Sequence, residues 1–75
     1  MNKHIELVKK WLADPASVTQ QELQDNCDAA YADCLAKAAA ADTNAVLYAA
    51  DYAYADDTVN AEYWVNRYKE LKEQE

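Results

Sequence analysis

Apolar residues recur at three- and four-residue spacing along most of this chain, with polar positions filling the remaining faces of each predicted helix. From Lys3 to Asp14, the residues Ile5, Val8, Trp11, Leu12 and Pro15 trace one stripe, while Glu6, Lys9 and Lys10 face elsewhere. Pro15 disfavours helix at Asp14, so the chain should turn there. Thr19-Gln20-Gln21-Glu22 fits a capping box, with Thr19 as N-cap and Glu22 reaching back to its amide. Val18 and Leu23 fit the hydrophobic staple that accompanies such a box. A second helix is therefore predicted from Gln20 to about Ala41. Its wheel places Leu23, Cys27, Ala30, Tyr31, Cys34 and Ala38 on one side and Glu22, Asp25, Asp28 and Asp33 nearly opposite. Asp42-Thr43-Asn44 are good caps and poor helix-interior residues, which predicts a break or kink. The third segment, Ala45 to Asp56, offers two candidate stripes: Val46, Leu47, Ala50 and Tyr54, or Tyr48 and Tyr52. Asp56-Asp57-Thr58 is another capping cluster. A last helix, Val59 to about Glu73, carries Ala61, Trp64, Val65, Tyr68 and Leu71 at helical spacing.

Composition narrows the fold class. The chain has no glycine and one proline, Pro15, so the usual punctuation of turns and strand ends is almost missing. Alanine, the best helix former, supplies much of the bulk. These features predict an all-α fold: a small helical bundle of three to four helices in a single domain, residues 1–75. Trp11 and Trp64 are expected to anchor the terminal segments against the alanine-rich middle. The alternative architecture fuses the second and third segments into one long helix that dimerises along its small-residue face. Large apolar side chains are few, Phe is absent, and six Tyr stand in its place. Tyr buries a ring but needs a partner for its hydroxyl, which suits half-buried sites and interfaces.

Catalytic chemistry finds no foothold in the sequence. The single histidine, His4, sits in a terminal turn and is expected to be solvated, without the positioned partner a general base needs. Zinc would require four ligands in a recognised spacing, which Cys27, Cys34 and His4 do not supply. Bundle di-metal sites use Glu-x-x-His pairs, and none occurs. Cys27 and Cys34 lie about 10.5 Å apart by helical rise, beyond the roughly 7 Å reach of a disulfide. They read as reduced core residues, consistent with a cytoplasmic protein. No leader-like apolar stretch and no membrane-length run is seen. The expectation is a non-enzyme with no cofactor and no metal.

Charge carries more information. The net is -7, and from Asp14 to Glu62 ten acidic residues face one basic residue, Lys37. Most positive charge lies at the two ends, in Lys3, Lys9 and Lys10 and in Arg67, Lys69 and Lys72. An acidic body repels nucleic acid and anionic membranes and attracts basic surfaces. The candidate partner-binding residues are therefore the acidic row Glu22, Asp25, Asp28 and Asp33 and the aromatic pair Tyr48 and Tyr52. The expected partner is a protein with a basic surface, with a homodimer as the alternative assembly.

The opening stretch Lys3-His4-Ile5-Glu6-Leu7-Val8-Lys9-Lys10-Trp11-Leu12-Ala13-Asp14-Pro15, followed by Ser17-Val18-Thr19-Gln20-Gln21-Glu22-Leu23, resembles small alanine-rich acidic proteins encoded by tailed bacteriophages of enterobacteria. So does the ending Tyr63-Trp64-Val65-Asn66-Arg67-Tyr68-Lys69-Glu70-Leu71. The likeness covers a third to a half of the chain, and its residues look like fold determinants; no functional-site motif comes with it. It implies a small accessory protein that binds and disables a host protein, such as a defence or nucleic-acid-handling component, inside the host cytoplasm. A homo-oligomeric structural or assembly protein is the competing class.

Overall fold

The computed structural model describes residues 2–36 and 41–73. They form four α-helices, α1 (Lys3–Ala13), α2 (Gln20–Ala36), α3 (Ala41–Tyr54) and α4 (Thr58–Glu73), with one 3₁₀ turn, Pro15–Ser17, between the first two. No strand occurs among the described residues. The protein is an all-α helical bundle, as its patterning predicts.

Side-chain chemistry sets the helix boundaries. The Asn2 carboxamide oxygen caps α1 by accepting the His4 amide at 2.8 Å. At the start of α2 the capping box forms in both directions: the Glu22 amide donates to Thr19 Oγ1 at 3.1 Å and the Thr19 amide to Glu22 Oε1 at 3.0 Å. Both members of the staple, Val18 and Leu23, are buried. The end of α3 is more unusual. The Asp57 amide donates to the Tyr52 carbonyl and the Asp56 amide to the Ala53 carbonyl, the double closure of a Schellman motif. Asp56 takes the left-handed position at φ 61°, where glycine is the usual occupant. Asp57 then caps α4, accepting the Asn60 amide at 3.1 Å. One chain reversal is thus made without glycine.

The start of α3 corrects the sequence reading. Asp42-Thr43-Asn44 do not form a break; they lie in the first turns of a helix that begins at Ala41. The Asp42 carboxylate accepts the Thr43 amide at 3.0 Å, and a negative charge is favoured at a helix N-terminus. The expected continuation of α2 beyond Ala36, with Ala38 on its inner face, falls outside the described residues.

Fusion of α2 and α3 is excluded by their packing. Cys34 meets Asn44, and seven residues earlier Cys27 meets Asp51, seven residues later on α3, which is antiparallel register. A continuous helix from Gln20 to Tyr54 would span roughly 50 Å at 1.5 Å per residue, whereas the longest dimension of the protein is 33 Å.

α3 is the central element. It packs against all three other helices, while α2 and α4 do not touch each other among the described residues. α2, α3 and α4 therefore lie side by side, and α1, which touches each of them, is laid across one side of that layer. A helix contacted from three directions needs small residues for close approach, and α3 buries Ala45, Ala49, Ala50 and Ala53 completely. Of its two candidate stripes, neither is used intact: Val46 and Ala50 are buried, Tyr54 is exposed, Tyr48 is exposed and Tyr52 is half-buried against the core. From α1, Ile5, Val8 and Trp11 fill the inner side, each such burial contributing about 1.5–3 kcal/mol.

Candidate functional site

His4 is not solvated. It is only 3% exposed, because α1 turns its first turn onto the inner face of α2. Its Nδ1 lies 2.9 Å from Asn26 Oδ1 and its Nε2 2.8 Å from Asp33 Oδ2. The Asn26 amide nitrogen donates in return to the His4 carbonyl at 3.2 Å, which orients the carboxamide and makes Nδ1 the donor toward Oδ1. This is a clasp between α1 and α2. Its two ring nitrogens are both engaged, so it presents no free base to a substrate. The sequence signal was Asn26, a polar residue three after Leu23 and four before Ala30, on the buried side of α2. A buried carboxamide requires a partner, and His4 is that partner.

Beside the clasp, α3 and α4 are tied by Lys72 Nζ and Asp42 Oδ2 at 3.2 Å. Asn2, His4, Asp33, Asp42 and Lys72 line a crevice of about 90 Å³, where all four helices meet. The Lys72 hydrogen bond is the main reason the Asp42 carboxyl is held below its usual range. Among the described residues no group of three or more His, Cys, Asp or Glu is placed to hold a metal ion, and no helix is long and apolar enough to cross a membrane.

The predicted acidic row is divided by the fold. Glu22 is committed to the capping box, where the Thr19 amide, first, and the Thr19 hydroxyl hold its carboxyl below the usual range. Asp25 accepts the Gln21 side-chain amide at 2.9 Å and borders a groove shared with Lys3 and Leu7 of α1. Asp33 belongs to the His4 clasp. Asp28 is exposed and acts electrostatically on Cys27 together with Asp51. The Cys27 thiol lies 3.7 Å from the Asp51 carboxylate, and burial, first, with that charge pushes it up to about 11. Such a thiol stays protonated near neutrality and is a poor nucleophile.

Tyr31, expected on the inner face of α2, is instead 55% exposed, and Leu35 one turn on is 71% exposed. The clasp explains the rotation: Asn26 and Asp33 take the side of α2 that faces α1, and Tyr31 and Leu35 lie about 140° or more around the helix from them. On α4, Tyr63 is 52% exposed, and on α3 Tyr48 is 43% exposed. Trp64 sits between those two rings, 4.8 Å from Tyr48 and 5.0 Å from Tyr63, centroid to centroid. Tyr31 is midway between Cys27 and Cys34 on α2, while Leu47 and Tyr48 are midway between their partners Asn44 and Asp51 on α3. Tyr48, Trp64 and Tyr63 thus form one aromatic row, and the register sets exposed Tyr31 of α2 at the height of its Tyr48 end. Of the two tyrosines predicted for binding, Tyr48 joins this row and Tyr52 does not. Patterning did not single out Tyr31 or Trp64 as surface residues because it assigned both to buried stripes.

The site is built of side chains from three helices. It offers surface: ring faces and apolar edges on one side of a three-helix layer, in a molecule of net charge -7. Comparison with protein-family models, with curated proteins and with solved structures finds no match to this chain.

Proposed function

We propose that this chain is a small acidic binding protein that sequesters or inhibits a protein with a basic surface, using the outer side of the α2–α3–α4 layer. The observation carrying the reading is the set Tyr31, Tyr48 and Tyr63, exposed alongside Leu35 and grouped around half-buried Trp64. Tyr and Trp are favoured at binding hot spots, and a contiguous apolar patch on a small domain marks an interaction surface. The charge of -7 selects the partner's sign and speeds its approach. The likeness to small phage proteins supports an inhibitor of a host component, acting in the host cytoplasm.

The rival reading is a homo-oligomer built on the small-residue face of α2. That face is occupied within the chain itself, since Ala30 is 1% exposed in the core. Self-pairing through the aromatic row would bring two charges of -7 together.

The test is capture from bacterial lysate on immobilised protein, comparing wild type with Tyr48→Ser/Tyr63→Ser. The reading expects a basic protein retained by wild type, released by salt and lost in the double variant. Equal retention by both proteins, or retention of nothing but further copies of this chain, contradicts it.

A further inference from the structure

We infer that the occupant of the aromatic row is a basic amphipathic helix of the partner, with arginine as its charged residue. This deepens the binding reading above and rests on it.

The shape of the surface comes first. Among the described residues α3 is contacted by α1, α2 and α4 and by no further helix, and its Tyr48 and Asp51 are exposed. Side-by-side helices about 8–10 Å apart leave grooves between them, and an amphipathic helix fills such a groove with anchors at i, i+3, i+4 and i+7. A partner helix on the outer side would repeat what α1 does on the inner side with Ile5, Val8 and Trp11. The apolar anchors it would meet are Leu35, Tyr31, partly buried Leu47, Tyr48, Trp64 and Tyr63.

The chemistry of the walls specifies the charge. Tyr48 and Trp64 are tilted at 45° and Tyr63 and Trp64 at 63°, so the rings are not stacked face on face. Aromatic faces attract cations, and Tyr48 and Tyr63 are exposed. Asp51 lies one turn from Tyr48 on α3 and Asp28 one turn from Tyr31 on α2, and both act on Cys27 between them. Arg67, one turn beyond Trp64 on α4, is paired with Glu70 at 3.2 Å. Arginine fits better than lysine because its planar guanidinium stacks on a ring while donating to a carboxylate. A second copy of this chain would present the same carboxylates to Asp28 and Asp51, and a nucleic acid or anionic membrane would be repelled.

The experiment titrates the protein with three synthetic helical peptides and follows Trp fluorescence. Trp64 is half-buried in the row and reports binding there, while Trp11 is sealed in the core at 3% exposure. One peptide has a leucine stripe flanked by arginine, the second has lysine for arginine, and the third scrambles the first so that the stripe is broken. The arginine peptide is expected to give a saturable change that weakens with salt. The lysine peptide should bind roughly two- to fivefold more weakly, the worth of about one lost cation–ring contact, and the scrambled peptide weaker still. Tyr48→Leu, which keeps apolar bulk at an exposed position, and Asp51→Asn should each weaken the arginine peptide by a similar factor. Asp25→Asn, on another face, should not. Equal binding of the scrambled peptide, equal binding of lysine and arginine, or wild-type binding by Tyr48→Leu overturns the inference. A basic protein captured from lysate through the row, with no response to any peptide, overturns the helix as occupant and leaves the binding reading standing. Failure of both capture and peptides overturns both.

Discussion

Asn26 and His4 show how much one buried polar pair decides in a molecule of this size. A small core supplies only a few kcal/mol of net stability, so orphaning one buried partner matters. Asn26→Ala removes two hydrogen bonds, leaves the His4 ring nitrogen Nδ1 without its partner, and should destabilise by roughly 1–3 kcal/mol. Asp33→Ala, at a half-exposed carboxylate where water can substitute, should cost clearly less. Chemical denaturation of both variants checks the order; an Asn26 variant as stable as wild type contradicts the clasp. Asp56 is the converse case. Its left-handed backbone costs an L-residue about 1–2 kcal/mol, while glycine adds about 0.4–1 kcal/mol of unfolded-state freedom. Asp56→Gly should therefore raise stability by about 0.5 kcal/mol. A measured loss would show that the Asp56 side chain does more than occupy the position.

The helices were legible where local chemistry alone fixes them. The capping box at Thr19 and Glu22, the staple at Val18 and Leu23, and the Pro15 turn depend on neighbours within four residues, so the sequence shows them directly. Which face of α2 is buried was less legible, because leucine, alanine, cysteine and tyrosine surround the helix and its burial is decided by α1. The rotation that exposes Tyr31 follows from His4, a contact twenty-two residues away from Asn26. Likewise the role of α3 as the central helix explains its alanines, but only once three neighbours are placed around it. At this scale Thr19→Ala should destabilise by about 0.5–2 kcal/mol, read as a lower melting temperature; an unchanged value contradicts the cap. The caps also set a pH dependence. Glu22, held down chiefly by the Thr19 amide, Asp42 by Lys72 and Asp57 by Asn60 each bind protons less readily folded than unfolded. Their contribution is complete above the ordinary carboxylate range, about pH 4, and is lost as pH falls through the lower folded values. The melting temperature should decline as pH drops below about 4; a flat profile down to pH 3 would contradict the arrangement.

For the whole molecule, the clasp and the proposed recognition surface have one cause. α1 covers a single side of the α2–α3–α4 layer, and committing Asn26 and Asp33 to that side leaves Tyr31 and Leu35 on the other with Tyr48 and Tyr63. The sign of the charge was legible from composition, whereas the row was not, because its members come from three helices whose relative heights no local pattern contains. The proposed recognition surface therefore lies on the aromatic side, away from Glu22, Asp25 and Asp33, whose carboxylates serve the chain's own structure or border α1. Backbone and indole NMR shifts, recorded while the arginine peptide or a captured basic partner is added, test this most directly. The account predicts that the Trp64 indole and the amides of Tyr31, Tyr48, Asp51 and Tyr63 move together, while the Trp11 indole and the amides of Glu22 and Asp25 stay in place. Shifts concentrated at Glu22 and Asp25, with the Trp64 indole unmoved, would contradict it.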